Sequence, residues 1–424
     1  MPSSLLPASI RSSSYICNTC RHGLRPLQNA RLVQGRAFGT ASSADYNIRT
    51  RHAPLHDQRS RAVVRTPTNL YTQRFAKSSS YSTTTLTSQP SDSGIAALPH
   101  RRLVSLSGPD AAKFLQGLIT NNVDPSRYRP FYSAFLDARG RVLWDVFIWT
   151  WPELSATIGK GHWACYIEVD QGEVEALKKH LKRHKLRSKI QIEDVDSEGE
   201  GGVNVWAAWG STIETLSNED GVTGFSDPRA PDMYRVLADT NCTMTQGIEP
   251  VATEAYHIQR FKYGIPEGPK EITRESALPM ECNIDLSQGI DFKKGCYVGQ
   301  ELTIRTKHTG VVRKRILPIQ LYNTDASNAL PESGTDIKQL DESGGIKKGR
   351  AAGKFIAGIG NVGLALCRLE NMTSMKVSAE GGSWKPGMEF GMETEGGVVK
   401  VKPVLHDWFV LRERDLWDKK RTRI

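Results

Sequence analysis

Charge is divided along this chain in a way that limits where it can fold. Residues 1–91 carry twelve Lys and Arg, from Arg11 to Lys77, against two acids, Asp45 and Asp57. They are rich in Ser and Thr and poor in large apolar side chains, so they bury too little surface to offset the entropy of ordering. A fold must therefore come from the remaining 333 residues. Those hold 44 basic and 44 acidic side chains, so the whole formal charge of +10 belongs to the N-terminal segment. A nucleic-acid-binding surface would put its positive charge on the folded part, and a neutral folded part argues against a nucleic-acid partner.

The first 91 residues have the composition of an organelle import signal: positive, hydroxyl-rich and nearly free of acids. No apolar run of secretory type follows Met1, and the arginine content favours the mitochondrial matrix over a plastid. Processing is expected near Arg36-Ala37-Phe38, leaving 39–91 as a disordered arm. The pair Cys17-Asn18-Thr19-Cys20 is half of a zinc pattern, but it has no second pair and lies in this segment. No window approaches the roughly 18 apolar residues of a spanning helix, so no integral membrane association is expected. Seven cysteines in 424 residues fit a reducing compartment rather than a disulfide scaffold.

The folded part begins near Ile95. Leu103-Val104-Ser105-Leu106 alternates as a strand does. Ser107 is the expected N-cap of a helix over Ala111 to Leu118, with Ala111, Phe114, Leu115 and Leu118 on one face. Phe131 to Leu136 and Arg141 to Thr150 read as strands joined by a turn at Asp137-Ala138-Arg139-Gly140. Trp163 to Val169 is a strand, and Glu173 to Arg187 a helix with acids at its start and bases at its end. Ile190 to Ile192, Val203 to Trp209 and Tyr234 to Leu237 add strands. Helices and strands alternate without βαβ spacing, so the expected class is α+β, spanning 92–321. Residues 322–353 are polar and apolar-poor and read as a linker and surface loop. Short strands at Phe355-Ile356, Val362 to Cys367, Met375 to Val377 and Gly397 to Val404 give a small β-domain and tail over 354–424.

The densest motif is Asp291-Phe292-Lys293-Lys294-Gly295-Cys296-Tyr297-Val298-Gly299-Gln300-Glu301. Two glycines bracket Cys-Tyr-Val, so the backbone turns tightly and presents the thiol. Lys293 and Lys294 stand close by, and positive charge favours the thiolate that attacks or binds metal. The same residues also suit a small buried cysteine under a turn.

The run Lys294-Gly295-Cys296-Tyr297-Val298-Gly299-Gln300-Glu301 resembles the K-G-C-x-x-G-Q-E motif of the folate-binding GcvT (T-protein)/YgfZ family, and within it the mitochondrial branch that serves iron–sulfur cluster assembly. Leu103 to Asn122, Phe135 to Trp149, Asp227-Pro228-Arg229 and Tyr263-Gly264-Ile265-Pro266-Glu267-Gly268 support the resemblance in the family's order over about 95–320; the 354–410 region matches loosely. The resemblance implies a GcvT-like ring of subdomains around a central cavity, with a small C-terminal β-barrel. It implies a non-enzymatic role in late [4Fe-4S] maturation beside A-type carrier proteins, for aconitase-type clients and radical-SAM lipoate and biotin synthases. A tetrahydrofolate-like ligand in the cavity is part of what it implies. By the same resemblance Cys296 is the functional thiol. Gln300 and Glu301 would bind backbone or ligand amides, or tie the loop down.

Two positions depart from the family pattern. In Gly140-Arg141-Val142-Leu143-Trp144-Asp145 one carboxylate, Asp145, remains where T-proteins have two. It is the candidate folate contact, or else a strand carboxylate paired with an arginine. Lys262 of Arg260-Phe261-Lys262-Tyr263-Gly264 stands where T-proteins have the acid that holds the pterin, and an ammonium offers no acceptor. These departures count against the alternative reading, a tetrahydrofolate-dependent aminomethyltransferase. A folate-bound thiol redox protein is the third reading.

Cys165, Cys242, Cys282, Cys296 and Cys367 are too far apart to form a ligand run for a resident cluster. One Cys296 thiolate sharing a partner's transient cluster is chemically reasonable. Gly358-Ile359-Gly360-Asn361-Val362-Gly363 has the G-x-G-x-x-G spacing but no helix to follow, so hairpin glycines are expected. Lys178 to Lys185, with His180 and His184, reads as a solvated basic helix face rather than a metal site, with an acidic partner or membrane surface as the alternative. Trp206, Trp209, Trp384 and Trp408 are expected in cores.

Overall fold

The computed structural model describes residues 92–417, apart from 127, 151–153, 155–161, 200, 213–220, 241, 243–248 and 323–329. The expected import segment and Cys17–Cys20 lie outside the described residues.

The order is β1 (Gly94–Ala97), β2 (Arg101–Gly108), α1 (Ala111–Gln116), β3 (Phe131–Leu136), β4 (Val142–Trp149), β5 (Trp163–Asp170), a short 3-10 turn, α2 (Val174–Lys185), β6 (Gln191–Asp194), β7 (Val203–Trp209), β8 (Val222–Ser226) and β9 (Met233–Asp239). Then come α3 (Thr253–Tyr263), α4 (Gln300–Thr309), β10 (Lys314–Tyr322), β11 (Asp336–Gln339), β12 (Gly353–Ile359), β13 (Val362–Arg368), α5 (Leu369–Met372), β14 (Phe390–Thr394), β15 (Gly397–Pro403) and α6 (Asp407–Trp417). They build a five-stranded sheet, β3-β4-β5-β2-β6, a four-stranded sheet, β1-β7-β9-β8, and a closed barrel, β10-β13-β12-β11-β14-β15. This is the expected α+β class with a C-terminal barrel.

Strand alternation explains how the layers pack. Val104, Leu106, Trp144, Val146, Ile148, Cys165 and Ile167 face one way, against α1 and α2. Leu103, Phe147 and Trp149 face the other way, and there meet Met233 and Leu237 of β9, Tyr256 and Phe261 of α3, and Ile316 and Leu364 of the barrel. The two sheets, α3 and the barrel thus share one central core.

The structure corrects several expectations. Ser107 does not cap α1; it pairs within β2, with Ala164 and Gln191. The strand runs on to Gly108, whose φ of +132° places it where a Cβ would meet the Lys189 carbonyl at 2.4 Å. Residues 322–353 are not only linker, since β11 is a barrel strand and the barrel already begins at β10. Its Ile337 is fully buried while its neighbours are polar, so one apolar residue was enough. Met375–Val377 forms no strand, because Glu370 and Ser378 tie that stretch back to α5. The tail contains α6, anchored by buried Phe409 and Trp417. The Gly358–Gly363 glycines do form a hairpin, with Gly360 at φ +58° between β12 and β13.

Candidate functional site

The Cys296 loop enters α4 from the side of the β3–β4 hairpin. In that hairpin the Asp137 carboxylate accepts the Arg139 and Arg141 backbone N–H groups, both at 2.9 Å. Gly299, the N-cap of α4, has φ +79°. A Cβ there would lie 2.2 Å from the Asp137 carbonyl, and a Cβ on Gly140 would lie 2.9 Å from the Gly299 carbonyl. Two glycines therefore let the hairpin turn and the cysteine loop touch backbone to backbone.

The remaining motif residues are anchors. The Lys294 ammonium donates to the carbonyls of Gln116 (2.8 Å), Ile119 (2.7 Å) and Asn121 (2.7 Å), around the end of α1. It also lies 5.0 Å from the Tyr297 ring centroid. Burial lowers its pKa to about 7, while three acceptors at a helix C-terminus hold its proton in place. Tyr297 is buried, and burial pushes its phenol pKa up. The Val298 N–H donates to the Gly117 carbonyl at 3.0 Å. The Gln300 side-chain oxygen accepts the Tyr297 N–H at 3.2 Å. Gln300 thus ties the loop down, and Lys294 grips α1 rather than activating the thiol. Glu301 stays exposed in the first turn of α4.

Gly295 and Cys296 are exposed at the tip. Among the described cysteines, Cys165, Cys282 and Cys367 are buried, and burial raises their thiol pKa values. The sequence leads one to expect a free thiol at Cys296. In the structure its sulfur is disulfide-bonded. A thiolate is available there only after reduction. Among the described residues no group of three or more His, Cys, Asp or Glu could hold a metal ion. A cluster at Cys296 would need its other ligands from elsewhere.

Asp145 belongs to a second feature, a buried ionic cluster in the central core. Glu168 accepts from Arg101 Nε at 2.9 Å and from Trp149 Nε1 at 3.1 Å, and lies 2.8 Å from Arg235. The Glu267 Oε2 atom accepts from Arg235 (2.6 Å), Arg229 (2.8 Å) and the Tyr256 hydroxyl (2.8 Å). Arg229 also pairs with Asp227, which explains the Asp227-Pro228-Arg229 stretch. The arginines hold the Glu267 pKa well below the usual range against its burial. Asp145 accepts the Gly268 N–H at 3.0 Å through Oδ1, and its Oδ2 lies 3.7 Å from Arg101. Burial raises the Asp145 pKa, with Arg101 opposing.

Little open space adjoins Asp145 in this structure. The cavity beside the carboxylate is about 10 Å³, room for roughly one water. Asp145 Oδ1 is taken up by the Gly268 N–H, while the buried Oδ2 has no hydrogen-bond partner and only Arg101 at 3.7 Å beside it. Lys262 is half-buried at the end of α3, where its carbonyl accepts His406 Nε2 at 2.7 Å.

Arg101, Glu168, Arg235, Glu267 and Tyr256 are missed in the sequence reading. A usable signal exists: Arg235 falls between Met233 and Leu237 on the core-facing side of β9, and Glu168 is paired across strands with Leu103 and Phe147. Charges in phase with a core must be paired. His180 packs edge-on against Phe135 and Trp144, at 5.9 and 5.2 Å, which fits a packed histidine and not a metal ligand.

Residues 313–410 match the family described as CAF17, C-terminal beta-barrel domain. The chain is 54% identical over 377 residues to a Phaeosphaeria nodorum protein named iron-sulfur cluster assembly factor IBA57 homolog, mitochondrial, covering 86% of this chain and 92% of that one. Proteins of the same name from Neurospora crassa (39% over 425 residues, 90% and 93% covered) and Aspergillus fumigatus (42% over 376 residues, 76% and 83% covered) are also similar. Among solved structures, the glycine cleavage system aminomethyltransferase T of Bartonella henselae matches with a TM-score of 0.54 at 13% identity. That match covers 76% of this chain and 87% of the other, and it shows a shared fold.

Proposed function

Because this chain belongs to the IBA57 family of mitochondrial iron–sulfur cluster assembly factors, we propose that it acts late in [4Fe-4S] protein maturation, in the matrix, through Cys296. The partners on this reading are A-type carrier proteins, and the clients are aconitase-type enzymes and the radical-SAM lipoate and biotin synthases. The observation that carries it is the contrast within one motif: Lys294, Tyr297, Gly299 and Gln300 are fixed to α1 and the hairpin, and Cys296 stands exposed between them.

In its thiol form Cys296 loses a proton, and its thiolate replaces one partner ligand on the cargo cluster. The displaced ligand takes up a proton, and the cluster keeps its oxidation state. Preorganisation is the chain's contribution, since the anchored loop holds the sulfur in one place before the carrier arrives. Aminomethyl transfer has no such support, because the space beside Asp145 is about 10 Å³ and Lys262 offers no acceptor for a pterin.

The test uses mitochondria whose only copy carries Cys296→Ser, with protein level checked by blot. Aconitase activity is expected to fall while a [2Fe–2S] enzyme keeps its activity. Normal aconitase with abundant variant protein would reject the role of the thiol.

A further inference from the structure

Lys178 to Lys189 hold seven bases and no acid, in a folded part whose charges balance overall. Lys178 is committed to Glu175 (2.9 Å) and Asp194 (2.6 Å). Lys179, Lys182, Arg183, Arg187 and Lys189 are exposed. At the end of α2 the chain turns through Leu186, at φ +43°, with 88% of its surface exposed. An apolar side chain in the left-handed region, pointed at water and flanked by bases, serves neither the core nor solubility.

Leu186 does not stand alone. With Arg187 and Ser188 it forms one wall of an open groove of about 660 Å³ whose other wall is Asp110, Lys113 and Phe114 of the α1 region. The Lys189 N–H donates to Asp110 at 2.7 Å and fixes the two walls together. The opposite end of α1 is what Lys294 and Val298 grip. The six residues of α1, about 9 Å long, carry both the groove wall and the carbonyl that Lys294 grips.

We infer that this groove is the docking surface for the acidic face of the cluster-carrying protein, which sets an apolar side chain against Leu186 and Phe114 while its acids meet the basic rim. This rests on the proposed function for the identity of the partner. Charge complementarity selects an acidic occupant, and continuity with the Cys296 loop through α1 selects a protein that must reach that sulfur. Phe114 and Leu186 line the same groove, which suits a protruding side chain rather than a lipid surface.

The experiment measures binding of the full-length reduced protein to the A-type carrier of the same organism, by titration calorimetry at two salt concentrations. Leu186→Glu and the pair Lys113→Glu/Arg187→Glu, both in the groove lining, are compared with Cys296→Ser. Both surface changes are at exposed positions, and circular dichroism checks the fold. The expected result is at least a tenfold loss for each groove variant, a steep salt dependence in the wild type, and less than a threefold change for Cys296→Ser with the apo carrier. Groove variants that bind like wild type would overturn the docking surface and leave the Cys296 role standing. Groove variants that lose only vesicles containing anionic lipid would assign the patch to a membrane and overturn it too. No binding of the carrier by wild type, with aconitase still dependent on Cys296, would overturn the partner and this surface together. Leu186→Gly adds a check, since a purely conformational role for Leu186 leaves binding unchanged.

Discussion

Replacing Lys294 by methionine keeps the length of the side chain and removes its donors. Three carbonyls around the end of α1 then lose their partner. A charged hydrogen-bonding group of this kind contributes about 2–3 kcal/mol. Urea unfolding should show a loss of that size, and Cys296 should react faster with a bulky thiol reagent after reduction. Unchanged stability would contradict the anchoring role. Chemistry alone pointed to Lys294 as an activator of the thiol. The sequence showed that the motif mattered but not which atoms each residue touches, because the carbonyls it grips lie more than 170 positions away. Arg235 was legible in principle, and period-two alternation between Met233 and Leu237 was the clue.

Elements bring the anchors together. Gly299→Ala would place a methyl 2.2 Å from the Asp137 carbonyl at a φ of +79°. The expected outcome is about 2 kcal/mol or more of destabilisation and a displaced loop. The measurement is chemical denaturation beside the aconitase assay, and a neutral result would mean the hairpin and loop do not touch. Leu186→Gly should go the other way, gaining about 1 kcal/mol by removing a side chain from a left-handed position, while weakening the carrier. The β3–β4 hairpin was readable because Asp137 and Gly140 are turn residues at turn spacing. Strand β11 was hidden because four residues with one buried side chain give no periodicity. Helix α6 was hidden because its buried side, Phe409, Glu413 and Trp417, includes a charged residue that breaks the apolar periodicity.

For the whole molecule, the central core joins two sheets, α3 and the barrel around a buried ionic cluster. Removing the Glu267 charge by Glu267→Gln would leave Arg229 and Arg235 under-compensated, at a cost of roughly 3–5 kcal/mol. Acid sensitivity has a different origin. Burial lowers the pKa of His257 to about 2 and of His180 to about 4. His257 accepts Arg260 Nε at 3.0 Å, a contact that requires it to be neutral. The unfolded chain protonates both near pH 6.5, so below that pH it binds more protons and stability falls as pH falls. Between pH 7 and 5 the loss should be about 2 kcal/mol, with half-buried His180 contributing less. Glu267, its pKa held low, keeps its contribution across that window and loses it only in stronger acid. Urea unfolding at the two pH values checks this, and His257→Gln should remove more than half of the difference.

The most direct measurement is cluster delivery in a purified system. Carrier loaded with [4Fe-4S], apo-aconitase and the reduced full-length protein are mixed anaerobically, and aconitase activation is followed over time. Wild type should speed activation at least tenfold over carrier alone, and Cys296→Ser should return it to the level of carrier alone with carrier binding intact. A Cys296→Ser protein that speeds activation as well as wild type would contradict the account.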